Sequence, residues 1–331
     1  FYYAKRALGG PLAKIPRPLV ARWTRYVLSY HILRGNRMQY INQLHNRYGP
    51  VVRVSPFEIA INDPDGVKTI QKVSGGFDKG PWYDSTGPGL LGMRDHVKHS
   101  RQRRLLAHPL INTSLMSFEP LVQAKINLAM DQIERECARI GVSDIYKWFS
   151  LMTTDIIGDL TFGSSFRMFE RGEKDQYVLD LQSIMTDVHV RAELSPFINV
   201  LFYLPLPQAK EIQNRLGRII EYGRQSMNRL RTAIETGSLK TPIFFSMIMD
   251  PKDTENSLTE LEMQEEAAEF MITGTNTTSN TLTYLVWAIL KHPQIRKRLE
   301  KEVAELSHNY TDSEGVREVS FRIYNGEGVV C

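Results

Sequence analysis

The sequence predicts a mainly α fold with a small β-sheet near the N-terminus, and three observations carry that prediction. A stretch opening at Thr259 and closing before Pro293 contains no internal proline. It reads as one helix of roughly 33 residues, about 50 Å long at 1.5 Å per residue. Helical periodicity recurs over residues 121–140, 144–160, 176–200, 207–236 and 294–306. Only residues 51–54 and 58–62, either side of Ser55-Pro56, alternate as strands do, which places a short hairpin in an otherwise helical chain.

With 331 residues, 42% of them hydrophobic, the chain has enough apolar material for a large core and is neither disordered nor fibrous by composition. Its two cysteines, Cys137 and Cys331, form no disulfide framework and no zinc cluster, a usage that fits a reducing compartment. No uninterrupted apolar run reaches the roughly 18 residues that span a bilayer. The first residue is not Met, so an N-terminal anchor is expected to lie outside this stretch.

Charge is distributed unevenly. Ten lysines and arginines, Lys5, Arg6, Lys14, Arg17, Arg22, Arg25, Arg34, Arg37, Arg47 and Arg53, precede the first acidic residue, Glu58. Residues 1–35 mix these bases with Trp23, Tyr26 and Tyr30, a composition suited to an anionic membrane surface. No nucleic-acid motif follows, which argues against nucleic acid as the partner. Pro16-Arg17-Pro18 is a stiff break, and Tyr48-Gly49-Pro50 is the turn that opens the hairpin. The glycine-rich run from Gly75 to Gly92 is a long loop of the kind that carries function.

The basic stretch from Asp95 to Leu106 follows. On a helix His99 and Arg103 lie one turn apart on one face and offer two donors to a carboxylate or phosphate, although most basic helical runs are only solvated surface. Gly141 separates two amphipathic helices, and Gly158 suits close helix packing. The long helix begins at a capping box, Thr259 with Glu262, and Lys291 and His292 suit its C-terminus. At its centre every residue from Thr273 to Thr283 except Leu282 is Thr, Ser, Asn or Gly, poor helix formers that need a reason to be there. One reason is a flat ligand that approaches Gly274, where no Cβ intervenes. The alternative is two helices joined by a polar loop near Gly274. Asn276-Thr277-Thr278 also matches a glycosylation sequon, discounted here because apolar helix flanks it.

Thr273-Gly274-Thr275-Asn276-Thr277-Thr278 resembles the central-helix motif of cytochromes P450, Ala/Gly-Gly-x-Asp/Glu-Thr-Thr. Other stretches are similar to the same family in order. They are Pro16-Arg17-Pro18 (the Pro-Gly-Pro hinge of microsomal members), residues 48–56 (the first sheet of fungal members of secondary metabolism), His99 with Arg103 (a His-x-x-x-Arg propionate pair) and residues 155–163. The resemblance implies a P450 fold, haem b, a haem-thiolate monooxygenase activity on an apolar small molecule, NADPH-cytochrome P450 reductase as electron donor, and the cytosolic face of the endoplasmic reticulum membrane. By position it makes Thr277 and Asn276 catalytic and places His99, Arg103, Gly274 and Thr278 at the haem. It also makes Phe197, Phe202, Tyr203 and Phe270 candidate substrate contacts, although an aromatic at such spacing is more often core. Asn276 departs from the usual acid; an amide orients water but does not exchange a proton near neutral pH, so any relay runs through Thr277 and water.

The resemblance divides the chain into a membrane-proximal segment 1–35, a P450-like region 36–306 and a divergent tail 307–331 of one incomplete domain. Neither the Glu-x-x-Arg helix nor the Phe-x-x-Gly-x-Arg-x-Cys-x-Gly loop is present, and Cys331 after Glu327-Gly328-Val329-Val330 does not match that loop. The expectation is therefore an incomplete fold without an axial cysteine or other metal ligand, inactive alone. Two further readings stand at this stage: a pseudoenzyme or scaffold, and an unrelated helical protein of lipid surfaces.

Overall fold

The computed structural model describes residues 10–72, 76–163, 166, 168–171, 176–195, 197–239, 243–249, 257–307, 322–324 and 328–330. In chain order the elements are α1 (Tyr26–Leu33), α2 (Arg37–Tyr48), β1 (Val51–Arg53), β2 (Ile59–Ile61), α3 (Pro64–Gln71), α4 (His96–Leu106), α5 (Asn112–Ile140), β3 (Val142–Ser143) and α6 (Ile145–Phe162). They continue as α7 (Met168–Arg171), α8 (Gln176–Glu193), α9 (Ile198–Tyr203), α10 (Pro207–Glu235), α11 (Glu260–Lys291), α12 (Pro293–Ser307), β4 (Arg322–Tyr324) and β5 (Gly328–Val330). The chain is mainly helical, and it divides into two compact units, residues 1–87 with 185–210 and residues 88–184 with 211–331.

In the first unit the expected hairpin forms. β1 and β2 pair antiparallel with Val52 opposite Ala60, and Gly49, at φ 96, supplies the turn into β1 that a side chain would strain. Leu28, Leu44, Val52 and Val54 make its small core. Arg53 corrects the charge reading. Its guanidinium is buried and donates to the carbonyls of Leu12, Ser55 and Pro56 at 3.3, 3.2 and 2.8 Å, so this base is a structural bracket and faces no membrane. Arg25 is likewise engaged, 2.9 Å from buried Glu193, which also accepts from the Ser29 hydroxyl. Lys5 and Arg6 lie outside the described residues. The helix expected over 176–200 ends at Glu193, and Ile198–Tyr203 forms a separate short helix.

The second unit is built on α6 against α11. α6 buries Trp148, Leu151, Met152 and Phe162; α11 brings Met263, Ala267, Ala268 and Met271 to the same core. α5 is longer than its periodicity suggests, starting at Asn112 with Pro120 inside, and ends where Gly141 takes the left-handed conformation at φ 79. Beyond that turn Glu136 gathers the chain by accepting from the Ser143 hydroxyl, the Asp144 amide and the Trp148 indole. Burial opposes its ionisation, but those hydrogen bonds outweigh it and hold its carboxyl below the usual range. A second sheet, in the order β3-β5-β4, involves the tail that the periodicity left without structure. Cys137, buried on α5, is disulfide-bonded, which departs from the usage expected of a reducing compartment.

Candidate active site

The polar centre of α11 does not break the helix. Glu260–Lys291 is one continuous α-helix of 32 residues, entered through a complete capping box in which Thr259 and Glu262 exchange side-chain and backbone bonds. The two-helix alternative is thereby excluded. The hydroxyls explain why: Thr273, Ser279, Thr281 and Thr283 donate to the carbonyls four residues back at 2.8–2.9 Å, and Thr277 donates to Thr273 in the same way. These side chains therefore follow the helical ladder instead of competing with it.

Gly274 serves packing. A Cβ built there would lie 2.8 Å from Cγ1 and 2.9 Å from Cδ1 of Ile157 on α6, so the missing side chain admits a helix and not a flat ligand. The same seam is stitched by the Thr153 hydroxyl, which donates to the Thr275 carbonyl at 3.1 Å. Asn276 is also committed, its amide donating to the Leu181 carbonyl of α8 at 2.7 Å, which corrects the picture of an amide that orients water. Phe270, partly buried, meets Phe244 in a tilted contact at 4.5 Å and Phe245 edge-on at 5.9 Å, so it packs against the core.

Three threonines of α11 are exposed: Thr277, Thr278 and Thr281. On α4, capped by Asp95 through the amides of Val97 and Lys98, His99 is half-buried and Arg103 exposed one turn further on. Phe197, Phe202 and Tyr203 lie in the other unit, Tyr203 almost fully exposed and Phe202 under the Arg191 guanidinium at 5.6 Å. An apolar groove of about 660 Å³ in that unit is lined by Ile59, Ile61, Val67, Ile70 and Phe77, with no titratable group on it.

The site also contains residues that sequence reasoning passed over. Glu266, one of the largest fully buried side chains, accepts from the Leu90 amide at 2.8 Å and from the Gln102 side-chain amide at 3.0 Å. Burial, and then the charge of Glu269, push its carboxyl up to about 7. Glu269 accepts from the Leu91 amide at 2.7 Å. The signal was present: Glu266 sits between Met263 and Phe270 on the apolar side of the helical wheel, where an acid is out of place.

The family model described as cytochrome P450 matches residues 16–314. A cytochrome P450 monooxygenase of Aspergillus terreus, tazI, is 38% identical over 93% of this chain and 64% of its own length. Another of Aspergillus niger, orf2, is 33% identical over 93% of this chain and 64% of its own. The chain belongs to the cytochrome P450 family. It spans about 64% of the length of these relatives. A further relative, the cytochrome P450 monooxygenase cypX of Dothistroma septosporum, is 29% identical over 92% of the chain.

Haem is the cofactor that this family implies, and the residues of this P450 chain fit it on one side. His99 and Arg103 on α4 are donors of the kind that hold acidic edges, and the exposed Thr277, Thr278 and Thr281 on α11 offer hydroxyls. Among the described residues no group of three or more His, Cys, Asp or Glu could hold a metal, Cys137 is disulfide-bonded, and Cys331 lies outside them.

Proposed function

We propose that this chain is the distal, substrate-side portion of a haem-thiolate monooxygenase that oxidises an apolar small molecule in fungal secondary metabolism. The observation that carries the reading is the continuous α11, whose Thr277 is exposed in the middle of the Thr/Ser/Asn/Gly stretch that the helix carries without breaking. Haem b, when bound through a thiolate, supplies the dioxygen and one-electron chemistry. His99 and Arg103 would hold its carboxylates by charge-assisted hydrogen bonds. Thr277 holds a proton on Oγ1, shared at rest with the Thr273 carbonyl, and rotation about χ1 turns that donor towards solvent or ligand. Asn276 fixes the helix through Leu181 and leaves the proton to Thr277.

Electrons come in this proposal from NADPH-cytochrome P450 reductase, and the site of action is the cytosolic face of the endoplasmic reticulum membrane. Exposed Leu19, Val20, Trp23, Tyr26 and Tyr30, flanked by exposed Lys14 and Arg34, support contact with an anionic surface. No helix of the described residues is long and apolar enough to cross a membrane. The test is a haem titration of residues 1–331 beside a version extended by the remaining length of the relatives, read by the reduced carbon monoxide difference spectrum. The extended protein should give the thiolate band, and Thr277→Ala in it should uncouple oxygen consumption from product. No band in either protein would leave a scaffold, and unchanged coupling would make Thr277 a helix residue alone.

A further inference from the structure

The turn after the glycine-rich loop is fastened to the central helix by carboxylates. Gly92 and Met93 both donate to the Gly89 carbonyl at 3.0 Å, which curls the segment so that two successive amides, those of Leu90 and Leu91, face α11. Each amide meets a different acid. Leu90 donates to Oε1 of Glu266 at 2.8 Å and Leu91 to Oε1 of Glu269 at 2.7 Å, acids three residues apart and so on one face of the helix. Glycine at 89 is what permits the approach, because a Cβ there would lie 2.1 Å from Oε2 of Glu269 and 3.4 Å from its Cβ.

Two carboxylates so placed do not both ionise without cost. Glu266 is fully buried, and its Oε2 has no hydrogen-bond partner, so this oxygen is the place for a proton while Oε1 receives the two N–H groups. Burial of its side chain disfavours the anion. On its own helix the nearby charges are Glu269, Glu265 and Glu262, all of the same sign. From α4, Arg101 is engaged by Glu262 at 3.0 Å and by the Ser257 carbonyl at 2.8 Å, Gln102 is uncharged, and His99 is half-buried one turn away. The turn brings Arg94, which is itself engaged, and Asp95, whose carboxylate caps α4.

We propose that Glu266 and Glu269 form a proton-gated latch: with one proton between them they hold the Gly89–Met93 turn on α11 through the Leu90 and Leu91 amides, and loss of that proton releases it. The proposal concerns the chain alone and does not rest on haem binding. Protonated Glu266 keeps both of its contacts. Once ionised, it is a buried charge with Glu269, Glu265 and Glu262 of the same sign on its own helix, and the relief is to swing out to water and give up Leu90 and Gln102.

The sign follows from linkage. In the closed turn the Glu266 carboxyl stands at about 7, and in the released turn it returns to the ordinary carboxylate range, so closure binds a proton between those limits. Hydrogen exchange of the peptide spanning Leu90 and Leu91, corrected for intrinsic rates, should show protection falling about tenfold per pH unit from pH 5 to about 7 and then levelling. Glu266→Gln, which keeps an acceptor and cannot ionise, should stay protected throughout. Glu269→Gln should level at a lower pH, and Gly89→Ala should lose protection at every pH. A flat profile in the unaltered chain would overturn the latch. An unchanged slope in Glu266→Gln would overturn it too, by assigning the titration to His99; circular dichroism of each variant confirms that α11 is intact.

Discussion

The two halves of α11 share one helical geometry and meet opposite surroundings. From Glu260 to Ser279 the helix buries Met263, Glu266, Ala267, Ala268, Met271, Thr275 and Ser279. From Asn280 to Lys291 it buries none, and Tyr284, Leu285 and Trp287 stand 71, 50 and 49% exposed. The exposed half is the more apolar in sequence, with Leu282, Tyr284, Leu285, Val286, Trp287, Ile289 and Leu290 against the acids Glu265, Glu266 and Glu269 of the buried half. Apolar content thus sets what a helix can bury; the neighbours decide what it does bury. Here the neighbours are α6, which fills the Cβ space of Gly274, and the glycine turn, which covers Glu266 and Glu269.

The largest effect expected from this contrast is at Gly274. Gly274→Val forces a side chain into Ile157 and should cost about 3 kcal/mol, measured by urea unfolding, with partial rescue by Ile157→Ala. A cost below about 0.5 kcal/mol would mean that the seam between α6 and α11 is loose.

Next comes pH. The folded-state carboxyl of Glu266 is raised to about 7, above its unfolded value. Its stabilising contribution is therefore complete below about pH 4.3 and is lost as pH rises to about 7. Glu266→Gln should flatten that part of the stability profile, a difference of at most about 3.5 kcal/mol across the window. The exposed half carries no acid and should contribute nothing to the slope.

A smaller effect is expected at the entrance to the buried half. Thr259→Ala removes the capping hydroxyl that Glu262 answers and should cost about 1 kcal/mol in thermal unfolding. The smallest lies on the open half, where Thr281→Val and Trp287→Ser should each change stability by less than about 0.5 kcal/mol. Trp287→Ser should also lower binding of a hydrophobic dye, since its ring is half-exposed beneath the Lys291 ammonium. A large loss in either variant would show that the open half is covered in solution.

The helical frame of the candidate site was legible because it depends on local chemistry. Thr259 and Glu262 at the right spacing, the glycine-threonine centre and His99 with Arg103 are patterns within a turn or two of one helix, and α11 and α4 form where those patterns stand. The family was legible for the same reason, through short motifs in order, and the match over residues 16–314 bears it out. Gly274 was legible as a special position but misread in purpose, because a missing Cβ admits a ligand and an isoleucine equally well.

The sequence by itself determined the helices, the hairpin, the capping box and the family, since each is written in periodicity or in residues a few positions apart. Tertiary structure alone decided that Arg53 is a buried bracket, that Asn276 ties α11 to α8, that Phe270 packs against the core, and that Glu266 meets Leu90. The contacts of Asn276, Phe270 and Glu266 join residues that no helical or strand period relates, the last of them 176 positions apart. What a buried polar group touches depends on which distant segment arrives beside it, and that is fixed by how the helices pack.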